Sequence, residues 1–399
     1  MPEPKIEDYR WLVSQQAQPY LDDAASSDVS FVALTKRLRS ALSTERTHLV
    51  LEQVNLRGRA RAKFSQPEKM FFTRKLLEQS TDEQIARHKA SRFPNGRPIA
   101  DLCCGIGGDL LALLRRGPCL AVDRDPVATL LVEANSRVLA AGELSCEVAD
   151  VRSVVERLQC AAWHIDPDRR VAAQRTSQAV YSEPSLDVIQ SLLRRVDAGA
   201  IKLAPGAEMT DSWSEDAPIE LEWIGSRREC RQQVVWLGSL AHHPDRRTAT
   251  VVDRQGESHS FTGHAELEVD VSVPGRYIFV PDSTLLASRL AGAIAEQLQL
   301  RATSYGLSYY TADEYRESPL LEVFEVHVLL NLDVRRVKRL LRERKVGSLE
   351  IKVRGAEIDP AELRKKLHPK GSESATLLIF RSGEDVKVAV AQRVVSAPR

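Results

Sequence analysis

Pro98-Ile-Ala-Asp101-Leu-Cys-Cys-Gly105-Ile-Gly107-Gly108-Asp109, followed at once by LLALLRR, is the stretch that decides how this chain is read. The apolar run PIADLCC ends in a glycine cluster and passes straight into an apolar, helix-like segment. Glycines at 105, 107 and 108 let the backbone turn sharply and leave room for a ligand against the main chain. The pattern is not G-x-G-x-x-G and no GK[ST] follows, so a dinucleotide or P-loop reading is weaker. Outward from this loop, CLAVD, CEVAD, AAWHID and AIKLA read as strands, with VATLLVEANSRVLAA and SLDVIQSLLRRV as helices between them. Strand and helix in alternation predict an α/β fold with a parallel sheet covered by helices.

Acids stand at the strand ends. Asp101 closes the first strand, where a carboxylate can hold a cationic ligand. Asp123 closes CLAVD, 22 residues later, placed to accept hydrogen bonds from ribose hydroxyls. Asp150 closes CEVAD, where a carboxylate beside main-chain amides can read an adenine edge. Acid, glycine loop, acid, acid fits S-adenosylmethionine: its ammonium and sulfonium charges suit Asp101, and it has no pyrophosphate to seat at a helix N-terminus. The alternative is an unliganded sheet with tight turns.

The chain has 399 residues, enough for two to three domains, and its 43% hydrophobic and 28% charged content excludes wholesale disorder. No apolar run approaches the ~20 residues of a membrane helix and MPEPKIEDYRWLV lacks a signal-peptide pattern, so a cytoplasmic protein is expected. Six cysteines (103, 104, 119, 146, 160 and 230) without a CxxC read as reduced thiols, and nine histidines without HExxH leave no metal expected. The net charge of +1 conceals two basic windows, Lys36 to Lys75 and Val334 to Lys370, each +8. Such windows can neutralise phosphates or form solvated helix faces.

Segments such as FVALTKRLRSALSTERTHLVLEQV, free of glycine and proline, predict helices before residue 62. QQVVWLGSLA and TATVVDRQ predict a hairpin at one edge of the sheet. From residue 273, RYIFV, one long helix DSTLLASRLAGAIAEQL, EVFEVHVLL, the basic helix DVRRVKRLLRERK, SLEIKVRG, PAELRKKL, ATLLIF and VKVAVAQRV predict one or two small α+β modules. The basic residues from Arg335 to Lys345, with Lys352 and Arg354 on the next strand, form a candidate phosphate grip, and Val334, Val337, Leu340 and Leu341 form that helix's apolar face.

Ser80-x-x-x-x-Ile85-Ala86, DLCCGIGGD and AVDRDP together resemble the S-adenosylmethionine-dependent methyltransferases around trimethylguanosine synthase, the RNA cap guanine-N2 methyltransferases. Through KFSQPEKMFFTRKLLEQST, IDPDRR, KLAPG and IKVRGAEIDPAELRKKL the chain is more similar still to bacterial class I methyltransferases with a C-terminal THUMP-like domain, over most of residues 60–396. The resemblance implies a helical N-terminal region (1–62), a Rossmann-like class I core (63–272), a small ferredoxin-like α+β module (273–319) and a THUMP-like, RNA-binding domain (320–399). It implies methyl transfer from S-adenosylmethionine to an exocyclic amine of an RNA base. Asp101, Gly105 and Gly107 would line the methionine end of the cofactor, with Cys103, Gly108 and Asp109 in the same loop. Asp123 would hold the ribose, Asp150 the adenine, and Thr81 would lie in the helix over the cofactor.

The departure falls after the fourth strand. Amine-methylating relatives carry Asp/Asn/Ser-Pro-Pro-aromatic, and this chain has Asp166-Pro167-Asp168-Arg169-Arg170. Asp166 and the Pro167 carbonyl could still orient an amine, and Arg169 could stack on the base in place of the aromatic. Tyr181 or Trp213 could instead fold over, and a plain turn with solvated arginines is the simpler reading. Two alternatives stay open: ribose 2′-O-methylation through Lys63, Asp166, Lys202 and Glu222, and binding of S-adenosylmethionine and RNA without transfer. Cytosine C5 chemistry is disfavoured, because Pro118-Cys119 opens the second strand instead of following the fourth.

Overall fold

The computed structural model describes residues 4–139, 142–167, 186–207, 217–306 and 309–394. The chain divides into two compact units, one comprising Met1–Arg227, Arg231–Asp245 and Val252–Ser258, the other Arg228–Cys230, Arg246–Val251 and His259–Arg399.

The first unit opens with helices α1 (Ile6–Leu12), α2 (Gln18–Ser26), α3 (Phe31–Arg39) and α4 (Thr44–Ala60). Ser30 and Ser43 cap α3 and α4 by accepting the amide hydrogens of Ala33 and Arg46, which the first turn otherwise leaves bare. Leu12, Leu21, Leu38, Val50 and Leu56 of these helices share one apolar cluster with Phe71, Phe72 and Leu131. Helices α5 (Arg74–Gln79) and α6 (Glu83–Ala90) then lead into the alternating part: β1 (Ile99–Leu102), α7 (Leu110–Leu113), β2 (Cys119–Asp123), α8 (Pro126–Leu139), β3 (Leu144–Val148), α9 (Val151–Val154), β4 (Ala162–Ile165), α10 (Leu186–Arg195) and β5 (Gly199–Leu203). All five strands are parallel, in the order β3-β2-β1-β4-β5. Strand order reverses between β1 and β4, and in such sheets the crevice at the carboxyl ends of the strands there is where ligands bind.

Beyond β5 come β6 (Ile219–Ser226) and β7 (Glu229–Leu237), with β7 antiparallel to β5 and β6 on its outer side. The hairpin expected between QQVVWLGSLA and TATVVDRQ therefore does not form, because β7 is flanked by β5 and β6. The two-residue turn joining β6 to β7 is Arg227-Arg228, both at positive φ (52° and 65°). Such turns usually advertise themselves as Asn-Gly or Asp-Gly, and here no such signal marks IELEWIGS as a strand.

In the second unit, β8 (Arg247–Val252) neighbours β9 (Ser258–Gly263). The rest is β10 (Tyr277–Pro281), α11 (Ser283–Ala287), α12 (Ala291–Gln297), β11 (Arg301–Ala302), β12 (Tyr310–Ala312), β13 (Leu321–Asn331), α13 (Val334–Glu343), β14 (Val346–Arg354), α14 (Pro360–Leu367), β15 (Glu373–Ser382) and β16 (Asp385–Arg393). Strands β10 to β16 form one sheet ordered β11-β12-β10-β13-β16-β15-β14. The single helix expected over DSTLLASRLAGAIAEQL is broken between α11 and α12. Arg289 turns to φ 61°, and the Leu290 amide reaches back to the Leu285 carbonyl at 2.9 Å. Val337 and Leu341 of α13 and Leu363 and Leu367 of α14 bury against Leu349, Leu377 and Ile379 of the sheet. Among the described residues no helix is long and apolar enough to cross a membrane. All six cysteines are free thiols, with Cys104 and Cys119 buried and the others half-buried.

Candidate functional site

Parallel register gathers the site. Asp101 on β1 lies opposite Ala121 on β2 and His164 on β4, and His164 in turn lies opposite Ala200 on β5. Small residues on either side leave room for the Asp101 and His164 side chains to meet. Carrying the β4–β5 register two residues further sets Asp166 beside Lys202, whose Nζ is 2.5 Å from Asp166 Oδ2 and donates to the Gln79 carbonyl at 3.1 Å. Burial alone would lower the Lys202 pKa, but the carboxylates of Asp166, Asp109 and Asp101 raise it.

A cleft of about 570 Å³ opens at these strand ends, and its walls include Thr81, Asp101, Cys103, Gly105, Gly108, Asp109, Asp123, Asp150, Asp166 and Pro167. Gly107 stands behind the wall at φ 86°, where an added Cβ would fall 2.6 Å from Val132 Cγ2. At Gly108 a Cβ would come within 2.9 Å of the Thr81 amide nitrogen, so only glycine lets the segment ahead of α6 lie against the loop.

The strand-end acids differ in what they hold. Asp123 accepts the amides of Gly105 and Asp125, each at 2.9 Å, and so fastens the glycine loop to β2. Burial raises its pKa, and each oxygen keeps a further lone pair. Asp150 accepts the Arg152 amide at 2.9 Å and pairs with the Arg152 guanidinium at 2.7 Å, a hydrogen bond that lowers its pKa to about 2. Asp101 is 1% exposed; its Oδ1 is 2.7 Å from His164 Nδ1, and its Oδ2 is buried with no hydrogen-bond partner among the described residues. Burial raises the Asp101 pKa. Asp109, by contrast, accepts the Thr81 hydroxyl at 2.6 Å and pairs with Lys89 at 2.6 Å. Against the upward pull of burial, Lys89 holds the Asp109 carboxyl well below the usual carboxylate range.

Lys89 and His164 were absent from the sequence-derived site, and one signal pointed to the lysine. Lys89 stands four residues after Ile85, on the face of α6 that buries Ile85, Ala86 and Ala90, where helical spacing expects an apolar residue. The four-residue set Lys63, Asp166, Lys202 and Glu222 is divided by its hydrogen bonds. Lys63 Nζ donates to the carbonyls of Leu77, Glu78 and Ser80 at 2.8, 3.0 and 2.6 Å, satisfying the carboxyl end of α5. Glu222 is 2.7 Å from His88 Nε2 and accepts the Trp236 indole N–H at 2.7 Å. Arg169, with Asp168, Arg170, Tyr181 and Trp213, lies outside the described residues.

In the second unit, Arg335, Arg336, Arg339 and Arg342 on α13, Arg344 and Lys345 at its exit, and Arg364, Lys365 and Lys366 on α14 are exposed. Lys352 and Arg354 do not join them, contrary to expectation. Side chains alternate along β14, and Leu349, Ile351 and Val353 take the face that packs with α13 and α14. On the other face Lys352 pairs with Glu322 at 3.0 Å and Glu350 at 3.3 Å, and Arg354 lies 5.4 Å over the Tyr309 ring.

Residues 321–393 match the THUMP domain-like family. An uncharacterised S-adenosylmethionine-dependent methyltransferase of Mycobacterium tuberculosis, found in strains CDC 1551 / Oshkosh and H37Rv, is 30% identical over 347 residues, spanning 85% of this chain and 94% of that protein. The crystal structure of a candidate methyltransferase from Porphyromonas gingivalis W83 shares the fold, with a TM-score of 0.77 and 19% identity over 98% of both chains.

Proposed function

Since this chain belongs to the S-adenosylmethionine-dependent methyltransferases, we propose that it methylates an exocyclic amine of an RNA base, a chemistry shared with the trimethylguanosine synthase group. When bound, S-adenosylmethionine supplies a methyl group on a sulfonium, open to direct attack by a nitrogen lone pair. The buried, unpartnered Oδ2 of Asp101 fits its ammonium. Asp123 retains lone pairs for the ribose hydroxyls, and Asp150 stands at the adenine end. Thr81, Cys103, Gly105, Gly107, Gly108 and Asp109 shape the methionine end between them.

The observation that carries the acceptor reading is the placement of Asp166 on the cleft wall, one oxygen held by Lys202 at 2.5 Å. Held this way, its other oxygen and the Pro167 carbonyl accept the two amine hydrogens and turn the nitrogen lone pair toward the methyl. Positioning of this kind supplies most of what such a transfer needs. As the new N–C bond formed, the methyl–sulfur bond would break to leave neutral S-adenosylhomocysteine, and Asp166 would take the proton that the amine gives up. Arg169 is assigned to stack on the base. RNA as the substrate class rests on the THUMP domain-like match and on the exposed arginines and lysines of α13 and α14.

Asp166→Ala is expected to bind S-adenosylmethionine with wild-type affinity and to lose about 100-fold or more in methyl transfer. Calorimetry, with transfer of labelled methyl to RNA from cells lacking the gene, reads both quantities. Nucleoside mass spectrometry of the product should show an N-methylated base. Full activity in Asp166→Ala, or a 2′-O-methyl nucleoside as the product, would sink the amine assignment.

A further inference from the structure

Beneath the methionine end of the cleft runs a buried polar chain. Asp101 Oδ1 is 2.7 Å from His164 Nδ1, His164 Nε2 is 3.2 Å from Lys89 Nζ, Lys89 Nζ is 2.6 Å from Asp109 Oδ1, and the Thr81 hydroxyl donates to Asp109 Oδ2 at 2.6 Å. Asp101 and His164 are 1% exposed and Lys89 is 2% exposed. An ammonium has hydrogens to donate and no lone pair to offer, so the ring nitrogen facing Lys89 must be the acceptor. His164 therefore carries its hydrogen on Nδ1 and donates it to Asp101.

Among the described residues, Asp101 on β1, Lys89 on α6 and Asp109 in the glycine loop (3.8 Å from Nε2) are the charged groups against the ring, and the Asp166–Lys202 pair joins the residue after β4 to β5. The edge-on ring of Phe93 flanks them, its centroid 6.5 Å from that of His164. With the histidine neutral, Asp101, Asp109 and Lys89 sum to one negative charge, and the Asp166–Lys202 pair adds none. Within the Asp101 carboxylate, Oδ2 is the oxygen left without a partner among the described residues.

We propose that Lys89 is a positioning residue for the cofactor: its ammonium locks His164 in the Nδ1–H form, and the locked ring holds Asp101 with Oδ2 turned to receive a cationic amino group. The inference rests on the assignment of this cleft to S-adenosylmethionine. Lys89 does not line the cleft; it reaches the wall through His164 to Asp101 and through its ion pair to Asp109, and the route through Asp101 is the one that a ligand with and without the amino group isolates. The ligand class it selects is an amino acid-bearing nucleoside with a free ammonium. The same nucleoside without that group should gain nothing from Lys89.

The test is calorimetry of S-adenosylhomocysteine and its desamino analogue on the full chain, wild type against Lys89→Met and Lys89→Arg. Lys89→Met should weaken S-adenosylhomocysteine by about 10- to 100-fold, the size of one charge-assisted hydrogen bond. It should leave the desamino analogue unchanged, and Lys89→Arg should restore most of the loss. Equal losses for both ligands would mean a merely structural lysine and overturn the proposal, as would no loss for either. Should Lys89→Met fail to fold, ¹⁵N NMR of wild-type His164 decides. A single Nδ1–H form supports the lock, and a hydrogen on Nε2 overturns it. Asp123→Ala separates the two levels: unchanged S-adenosylhomocysteine affinity there removes the site assignment itself, whereas a loss there with none in Lys89→Met removes only the role of Lys89.

Discussion

From Lys36 to Lys75 and from Val334 to Lys370 the chain carries the same net charge of +8, and most cations of both segments are exposed; the segments differ in what holds the half-buried ones, Arg46, Arg57 and Lys63 in the first and Lys338, Lys352 and Arg354 in the second. In the first, three carbonyls surround the Lys63 ammonium. Arg57 donates to the Met70 carbonyl and lies 5.3 Å over Phe71, and Arg46 lies 4.9 Å over Trp11. In the second, the apolar stripe of α13 and α14 faces the sheet and the helix cations other than Lys338 stand in solvent, while Lys352 pairs with Glu322 and Glu350 and Arg354 lies over Tyr309. The charge total is therefore uninformative about use. What matters is the phase of each cation relative to the apolar stripe of its own element, and whether backbone carbonyls or rings lie within its reach.

The largest effect on stability is expected where an inward charge loses its partner. Asp109→Asn leaves Lys89 buried and unpaired and should cost about 3–5 kcal/mol at pH 7 by urea denaturation. Because the Asp109 carboxyl is held below its ordinary value, its contribution is complete above about pH 4 and is lost as pH falls through the lower folded-state value. The gap between wild type and Asp109→Asn should therefore narrow below pH 4, and a gap that stays constant down to pH 2 would contradict the ion pair.

A smaller loss, about 1–3 kcal/mol, is expected for Lys63→Met, which strips the end of α5 of its donor. The salt dependence of RNA binding should not change in this variant. If it flattens, Lys63 itself contacts phosphate and is not committed to the carbonyls at the end of α5.

The smallest effect on stability belongs to the triple variant Arg335→Ala, Arg339→Ala and Arg342→Ala, within about 0.5 kcal/mol per site. Its effect should appear in RNA binding instead. For three lost phosphate contacts on a single strand, the slope of log affinity against log salt should fall by about 2. Destabilisation without a change in slope would place those arginines among the inward charges.

The alternation of strands and helices was legible because each element is short and its periodicity local. The glycine loop and the acids closing β1, β2 and β3 were legible for the same reason, since a strand end is a position along the chain. The β6–β7 hairpin was hidden because its turn is Arg227-Arg228, a pair without the usual preference for positive φ. The break between α11 and α12 was hidden because ASRLAG contains no proline, and the unfavourable φ at Arg289 is compensated by packing of Leu285, Leu290 and Ile294 in one cluster.

Asp101 and Asp109 stand in one motif and look alike as letters. The sequence by itself determined that both would lie at a tight turn between a strand and a helix, because glycine content and apolar spacing act on neighbouring residues. Only the tertiary structure decided that Asp109 is paired by Lys89 and Thr81 while one oxygen of Asp101, a residue of the cleft wall, has no hydrogen-bond partner among the described residues. The physical reason is that a buried carboxylate's state depends on which donors surround it. Here those donors come from α6 and the segment before it and from β4, elements whose meeting is set by sheet register and helix packing and has no trace in the local pattern.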